Sequence, residues 1–390
     1  MKKSTVVLAA FGAFASVANA QSSVTLYGIV DEGFNINTNA GGSRLYNLTS
    51  GVIQGSRWGL RGTEDLGGGT KALFVLENGF DLSTGKFGQG GLEFGRQAYV
   101  GLGSRYGTVT LGRQYDSVVD YVGSFGVASQ WAGYIAAHAG DIDNFNNGQR
   151  VNNAVKFSSP NLAGLTFGGL YSLGGVAGDY TRNQIWSIGA RYNNGPLVVG
   201  AAYLNVRNPN VSFFGNANSG TINPATSNIT SPIYSGLGSA HTYQVIAAGG
   251  AYTIGAATIG ATYSNIKFSN LGSSFASSFA GQTMTFNNAE INFKYQLTPS
   301  LLVGAAYDYT REHSVNGAAP ATFNQGEAGI DYFLSKRTDV YVIGVYQHAS
   351  GETVNASGTR LTTAVASLNN LTPSSNSNQF TARVGIRHKF

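Results

Sequence analysis

The sequence predicts an all-β protein, a transmembrane antiparallel β-barrel of sixteen strands. Three observations lead to this prediction. The chain contains 54 Gly, 21 Tyr and 22 Phe in 390 residues while charged residues make up 11%, a composition that favours strands over helices. Apolar and polar residues alternate in segments of about ten residues, the length that a tilted strand needs to cross a bilayer. Short and long connections alternate between these segments, as in barrels with tight turns at one end and long loops at the other.

The first twenty residues form a separate element. Lys2 and Lys3 precede an apolar run over 6–17, and the run is followed by the small-residue site Ala18-Asn19-Ala20. These are the three parts of a secretory signal peptide, and the apolar run is too short for a membrane-spanning helix. We therefore expect residues 1–20 to be removed and residues 21–390 to form the barrel as one domain.

Composition also excludes several classes of function. The chain has no Cys, so thiolate chemistry and cysteine-bound metal sites are excluded. A formal charge of +5 is too small to indicate a nucleic acid partner. The five His residues show no pair at the spacing of zinc ligands. We expect no cofactor and no metal, with calcium binding or catalysis by Asp141 and Asp143 as an open alternative.

The alternation is clearest in "AEINFKYQL", where Ala289, Ile291 and Phe293 oppose Glu290 and Asn292. Because every backbone N–H and C=O needs a partner in hydrocarbon, such a sheet must close on itself, and the last strand must pair with the first. A soluble β-sandwich, which would bury the apolar face under a second sheet, is the alternative. Sixteen segments follow the pattern: 23–36, 50–61, 70–80, 93–103, 107–115, 150–158, 162–172, 183–193, 196–206, 241–253, 256–266, 284–297, 300–310, 323–334, 338–348 and 378–390.

The last segment ends the chain on a two-faced strand. Phe380, Val384 and Phe390 belong to its apolar set, whereas Arg383 and Arg387 belong to the other set. Since successive side chains of a strand point to opposite faces, the apolar set would face lipid and the arginines the lumen. By the same alternation, Arg150 and Lys156 share the polar face of segment 150–158.

Several motifs resemble the trimeric general-diffusion porins of beta-proteobacteria, a family of the Gram-negative outer membrane. The resemblance covers nearly the whole chain after residue 20 and rests on "VTLYGIVDEGF" at 24–34, "GSRWGLRGTEDLGGGTKALFVLENGFDLSTG" at 55–85, "FGRQAYVGLG" at 94–103, "YGTVTLGRQYD" at 106–116, "RVNNAVKFSSP" at 150–160, "YFLSKRTDVY" at 332–341 and "RVGIRHKF" at 383–390. It implies a sixteen-stranded barrel, a homotrimer, and a third extracellular loop folded into the pore.

The resemblance also implies partners and a site. The partners are outer-membrane lipid and lipopolysaccharide, small hydrophilic solutes that diffuse through the pore, and the barrel assembly machinery, for which Phe390 matches the family's terminal recognition residue. In these porins an arginine cluster on the wall faces the inward loop, and Arg57, Arg96 and Arg150 stand at the matching positions. Only the resemblance predicts that the side chain of Arg96 points inward, because the alternation places Arg96 on the same face of the strand as the apolar residues around it.

The predicted third loop is the apolar and aromatic segment between Tyr115 and Arg150. Asp141 and Asp143 lie late in it. Carboxylates that face the arginines would create a transverse field across a narrow aperture, with a modest net preference for anions. We expect no enzymatic activity. The alternatives are an outer-membrane phospholipase or protease, for which His138 with Asp141 is the only nearby pairing, and an adhesin that uses the long loops.

Overall fold

The computed structural model describes residues 23–215, 229, 231–313 and 319–390. The expected signal peptide, residues 1–20, lies outside the described residues. Within the described ranges, no helix is long and apolar enough to cross a membrane. These ranges consist mainly of strands joined by turns, loops and short helical segments.

The strands are β1 (Ser23–Ala40), β2 (Ser43–Ser50), β3 (Arg57–Gly67), β4 (Thr70–Gly79), β5 (Gln97–Ser104), β6 (Gly107–Gln114), β7 (Val151–Ser158), β8 (Leu165–Ser172), β9 (Ile185–Asn194), β10 (Leu197–Arg207), β11 (Thr242–Ile254), β12 (Ala257–Ser269), β13 (Met284–Thr298), β14 (Leu301–Glu312), β15 (Thr322–Phe333), β16 (Thr338–Ser350), β17 (Glu352–Val354), β18 (Leu361–Thr363) and β19 (Asn378–Lys389). The helices are α1 (Ser117–Tyr121) and α2 (Pro209–Ser212). Single helical turns lie at Gly123–Phe125, Ala128–Ala132, Tyr134–Ala136, Ala139–Asp141 and Ser235–Leu237.

The main sheet is antiparallel throughout and closes on itself. Closure is made by β1 and β19, whose register runs from Ile29 opposite Lys389 to Asn37 opposite Thr381. One further pair of hydrogen bonds joins the backbones of Gly28 and Phe390, at 3.1 and 3.0 Å. The predicted sixteen-stranded antiparallel barrel is therefore confirmed. Strands β17 and β18 form a separate small hairpin in the last long connection.

The second strand of the barrel differs from the predicted segment 50–61. It is made of two pieces, β2 and β3, which pair with successive parts of β1. The second barrel strand therefore begins at Ser43, after a tight turn that follows Ala40. The sequence predicted a connection and not a strand in this part of the chain. Residues 51–56 leave the ladder between the pieces, and Gly51 has a φ of +72°. With β2 and β3 counted as one strand, the seventeen segments of the main sheet form sixteen barrel strands.

The two faces of the wall follow the alternation of the sequence. On β13, Glu290 and Asn292 are buried, whereas Ile291 is 58% exposed and Phe293 is also exposed. Across the strands, the large exposed residues are mostly apolar or aromatic and the buried face carries most of the polar groups. This is the arrangement of a membrane barrel, with the apolar face toward lipid and the polar face toward the interior.

The connections segregate by length at the two ends of the barrel. Short turns join β3 to β4, β5 to β6, β9 to β10, β11 to β12, β13 to β14 and β15 to β16, and the closure of Gly28 with Phe390 lies at the same end. The opposite end carries the long connections, including residues 115–150 between β6 and β7 and residues 351–377 between β16 and β19. Only the first connection at that end, after Ala40, is short.

Candidate functional site

The connection 115–150, here called loop 3, packs against the buried face of the wall. It begins with α1, whose N-cap Asp116 accepts hydrogen bonds from the backbone N–H groups of Val118, at 2.7 Å, and Val119. Phe125 follows and is fully buried. A Cβ built on Gly200 or Gly249 would lie 3.1 Å from its ring, so wall positions without side chains provide the space for this aromatic residue.

The middle of loop 3 packs against the wall in a similar way. The indole of Trp131 lies over Gly304 and Gly329, and a Cβ built on Gly329 would be 2.8 Å from the ring. Further along, Gly133 and Tyr134 contact the excursion 51–56 of the second strand. The N–H of Tyr134 donates to the carbonyl of Val52 at 2.7 Å. Loop 3 therefore contacts both the unbroken wall and the break in β2–β3.

A buried polar cluster fixes loop 3 to β12 and β13. Glu290 on β13 accepts hydrogen bonds from the N–H of Val127, at 2.8 and 3.1 Å, and is 3.0 Å from Nε2 of His138. The other ring nitrogen of His138 is 2.7 Å from Asp143, which also accepts a hydrogen bond from Ser264 at 2.7 Å. Burial acts in the opposite direction, but the neighbouring carboxylates raise the pKa of His138 well above its usual value. The two carboxylates therefore favour the protonated form of the imidazole.

Two of the predicted arginines share one carboxylate. Nε of Arg96 donates to Glu77 on β4 at 2.7 Å, and Nε of Arg57 is 3.7 Å from the other oxygen of the same side chain. Tyr27 and Tyr115 donate to Glu77 at 2.9 and 3.1 Å. Glu77 is 4% exposed, so the two guanidinium groups are oriented by a fixed, buried anion.

Arg150 joins these two arginines around one cavity. The cavity has a volume of about 350 Å³ and is lined by Arg57, Arg96 and Arg150 together with loop 3 residues such as Ser129 and Tyr134. Burial, together with the nearby Arg96, lowers the pKa of Arg150 to about 9. The group therefore keeps its positive charge at pH 7. The structure brings the three predicted arginines together and places part of loop 3 opposite them.

The two predicted aspartates lie elsewhere in loop 3. The carboxylate of Asp141 accepts hydrogen bonds from the N–H groups of Asn146, at 3.0 Å, and Gly148, at 3.1 Å, and both of those residues line the arginine cavity. Burial, with a contribution from Asp143, raises the pKa of Asp141 to about 7. Asp143 points to His138 and β12 instead. Asp141 is thus one layer behind the cavity surface, and Asp143 is held in the polar cluster with Glu290.

The predicted basic residues of the interior are paired with acids. Lys156 on β7 forms an ion pair with Asp120 and donates to the carbonyl of Tyr115 at 3.0 Å. Arg383 is fully buried, 3.3 Å from Asp31. Arg387 forms an ion pair of 2.9 Å with Asp339. Their charges are therefore largely compensated locally, in contrast to the three arginines that line the cavity.

The last predicted residue, Phe390, completes the ladder between the two terminal strands. Its N–H and carbonyl both bond to Gly28, and its half-exposed ring covers that glycine. A Cβ built on Gly28 would overlap the ring of Phe390. The terminal residue therefore fits a position where the neighbouring strand has no side chain.

Sequence reasoning missed Glu77 and Glu290. Glu77 did have a signal, because it is the only acidic residue in the otherwise apolar stretch "ALFVLENGF". The role of Glu290 could not be inferred from its strand alone, since its partners Val127 and His138 are more than 150 residues away. Among the described residues, no group of three or more His, Cys, Asp or Glu could hold a metal ion.

A closed barrel with an apolar outer face, a polar inner face and long loops at one end is the architecture of an outer-membrane β-barrel protein. The model of the Gram-negative porin family matches residues 4–352. An outer membrane porin of Bordetella pertussis is 32% identical over 382 residues, which cover 89% of this chain and 94% of that protein. The chain therefore belongs to the Gram-negative porin family and forms a channel in the cell outer membrane.

Other relatives and structures agree with this assignment. Outer membrane porin protein 32 of Delftia acidovorans is 36% identical over 221 residues, 50% of this chain and 58% of that protein. An anion-selective porin from Comamonas acidovorans has the same fold, with a TM-score of 0.71 and 23% identity over 95% of this chain and all of that one. OmpT of Vibrio cholerae has a TM-score of 0.64 and 16% identity over 96% of this chain and 99% of that one.

Proposed function

We propose that this porin lets small hydrophilic solutes and ions diffuse passively, with a modest preference for anions that is set by Arg57, Arg96 and Arg150. The observation that carries the proposal is their common cavity, which is lined by three guanidinium groups, whereas the carboxylate of Glu77 is paired with only two of them, Arg57 and Arg96. The local charge is therefore positive. Between low-dielectric walls such a charge concentrates counter-ions more strongly than it would on an open surface.

The other three predicted basic residues of the interior are consistent with this location for the filter. Lys156, Arg383 and Arg387 each have a carboxylate partner within 4 Å, so they add little net charge to the channel. The solved porin with the same fold is described as anion-selective, which agrees with the proposed preference. Loop 3 would narrow the channel opposite the arginines, since Ser129 and Tyr134 line the same cavity.

We propose no enzymatic role for the buried polar cluster of loop 3. His138 is 1% exposed and is enclosed by Asp143 and Glu290, so a substrate has no access to it. An adhesin function has no specific support in the described loops. The signal peptide over 1–20, the homotrimer, the contact with the barrel assembly machinery through Phe390 and contacts with outer-membrane lipid complete the proposed biology. A heat-sensitive trimer band in unheated electrophoresis would test the homotrimer.

The reversal potential of single channels in a potassium chloride gradient tests the selectivity. We expect an anion preference that grows at low salt, because the Debye length increases from about 10 Å at 0.1 M to about 30 Å at 0.01 M. The double variant Arg57→Gln, Arg150→Gln should move the potential toward cation preference. Arg105→Gln, in the exposed turn between β5 and β6, is the matched control and should leave it unchanged. A wild-type preference for cations, or a double variant with unaltered selectivity, would exclude these arginines as the filter.

A further inference from the structure

The connection between β10 and β11, here called loop 5, is packed into the end of the barrel that carries the long connections. It spans residues 208–241, of which the structure describes 208–215, 229 and 231–241. All residues over 208–214 and 233–240 are buried. A connection that extended over the surface into water would leave such residues exposed. The described parts of loop 5 are therefore covered by other parts of the molecule.

Aromatic rings attach loop 5 to the inner face of the wall. Tyr243 on β11 and Phe268 on β12 are opposite each other in the register, and both are buried on that face. The ring of Phe213 lies 5.9 Å from that of Tyr243, and the ring of Phe214 lies 5.5 Å from it. Tyr234 continues the stack, 5.7 Å from Phe214 and 5.9 Å from Phe268. These centroid distances are those of aromatic rings in contact.

The other side of loop 5 meets the end of loop 3. The hydroxyl of Tyr234 donates to the carbonyl of Gly140 at 3.2 Å. A Cβ built on Gly140 would lie 2.8 Å from both the ring of Tyr234 and the hydroxyl of Ser231, so the two loops touch at a residue without a side chain. The cavity that remains between them has a volume of only about 10 Å³ and is lined by Phe214 and Tyr234 on one side and by Asp141 on the other. That is space for about one water molecule.

The same end of loop 3 also lines the cavity of the three arginines. Tyr134 and Gly148 line both cavities, so a single layer of loop 3 separates loop 5 from the arginine cavity. The N–H of Gly148 donates to Asp141 at 3.1 Å, and its carbonyl accepts from Nη1 of Arg150 at 3.0 Å. A continuous series of contacts therefore leads from the rings of loop 5 to one of the arginines.

We propose that loop 5 is a second constriction element of this channel. Phe214 and Tyr234 fill the space between the wall and the end of loop 3 and hold that end toward the arginines. They are positioning residues, which set the largest solute that passes the arginine cavity. Without their rings the end of loop 3 would move back toward β11 and β12, and the passage would widen. The proposal rests on passive diffusion through the pore and not on the preference for anions.

Swelling of liposomes that contain the purified channel tests the proposal with two uncharged sugars, arabinose and the larger trisaccharide raffinose. Phe214→Ala with Tyr234→Ala removes both rings that loop 5 contributes to the small cavity. This double variant should raise the ratio of the raffinose rate to the arabinose rate above the wild-type value. Tyr234→Phe keeps the ring and should keep the wild-type ratio.

The matched control is Phe279→Ala with Phe286→Ala. It also removes two buried rings of the same apolar cluster, but neither of them lines the small cavity. We expect it to lower the unfolding temperature as the loop 5 double variant does, and to leave the ratio of the two swelling rates unchanged. A role of the loop 5 rings in stability alone would change the unfolding temperature in both double variants and the ratio in neither.

A disulfide between the two loops provides a second test, because the wild-type chain has no Cys. The closeness of a Cβ at Gly140 to the hydroxyl of Ser231 places Gly140→Cys and Ser231→Cys within reach of a disulfide. Added to the loop 5 double variant, the oxidised pair should restore the wild-type ratio of swelling rates, and reduction of the same protein should raise the ratio again. Gly140 has a φ of +71°, but the strain of a Cys there is present in both redox forms.

Three results would each overturn the role of loop 5 alone. They are an equal ratio in the wild type and the loop 5 double variant, the same rise in the control double variant, and equal ratios in the oxidised and reduced forms. A wild type that admits neither sugar would overturn both this role and the proposed diffusion of small hydrophilic solutes. The two failures are therefore distinguishable.

Discussion

Replacement of Glu290 by Gln should loosen loop 3 while leaving the barrel intact. Glu290 lies on β13 and receives hydrogen bonds from two parts of the loop, the N–H of Val127 and the ring of His138. A hydrogen bond to a charged group contributes about 1.5–3 kcal/mol, against about 1 kcal/mol for a neutral pair. Loss of the charge therefore weakens each contact by about 0.5–2 kcal/mol, and the two together by about 1–4 kcal/mol.

This loss acts on the docking of the loop and not on the closure of the sheet. A difference of about 1–4 kcal/mol raises the population of the undocked loop roughly 5- to 900-fold. Because Gln has nearly the shape of Glu, packing around Phe125 and Trp131 should be preserved. In planar bilayers we expect single channels of Glu290→Gln to show more current noise and a larger mean conductance than the wild type.

The matched control is Glu327→Gln on β15. Glu327 is buried on the same inner face, but its only hydrogen bond in the described structure is to Gln325, at 2.8 Å. Its replacement should leave the noise and the conductance close to the wild-type values. If Glu290→Gln gave current traces indistinguishable from those of Glu327→Gln, the carboxylate would not be what holds loop 3 against the wall.

Three further predictions follow from single residues. Deletion of Phe390 should reduce the amount of protein inserted in the outer membrane, measured in membrane fractions. The thermal stability of the purified barrel should change little, because the deletion removes only one pair of backbone hydrogen bonds to Gly28. Normal insertion would contradict the assembly role. The anion preference should rise as the pH falls through about 7, because Asp141 is neutral below its raised pKa and negative above it, and Asp141→Asn should abolish this step in the reversal potential. Gly133→Ala should lower the unfolding temperature more than Gly178→Ala: both residues have a positive φ, but only at Gly133 would the new Cβ meet the backbone of Ile53, at 2.6 Å, whereas Gly178 has open space around it. Equal unfolding temperatures for the two glycine variants would show that this contact does not stabilise the loop.

The sequence predicted the wall better than it predicted the site. Alternation along a strand depends only on neighbouring residues, so the inner and outer faces of β13 and β19 could be read directly, including the inward positions of Arg383 and Arg387. Alternation does not apply to Arg96, because Arg96 precedes β5, which begins at Gln97. The direction of its side chain is set by the hydrogen bond to Glu77 and not by the pleat of a strand.

Pairings between distant parts of the chain could not be predicted in this way. Alternation places a carboxylate such as Glu290 on the inner face but does not indicate whether it meets a solute, a lysine or a loop. From the sequence, Asp141 and Asp143 in "GDIDN" have one predicted role, as carboxylates of the inward loop that face the arginines. In the structure, Asp141 accepts hydrogen bonds from the end of loop 3, and Asp143 bonds to His138 and Ser264. A loop without regular structure has no period from which such directions could be inferred.

The break in the second strand shows how the loop and the wall determine each other. Residues 51–56 contain Val52 and Ile53, which are apolar and would suit an ordinary strand. They leave the ladder, and both side chains are buried. The N–H of Tyr134 takes the carbonyl of Val52 as its acceptor, and Gly133 packs against Ile53. The excursion thus exchanges strand pairing for contacts with loop 3, and the same displacement brings Gln54 and Gly55 to the cavity of the three arginines. The position of the proposed filter therefore depends on an irregular piece of the wall that contacts residues about 80 positions later in the chain. Such a long-range contact cannot be inferred from the alternation of neighbouring residues.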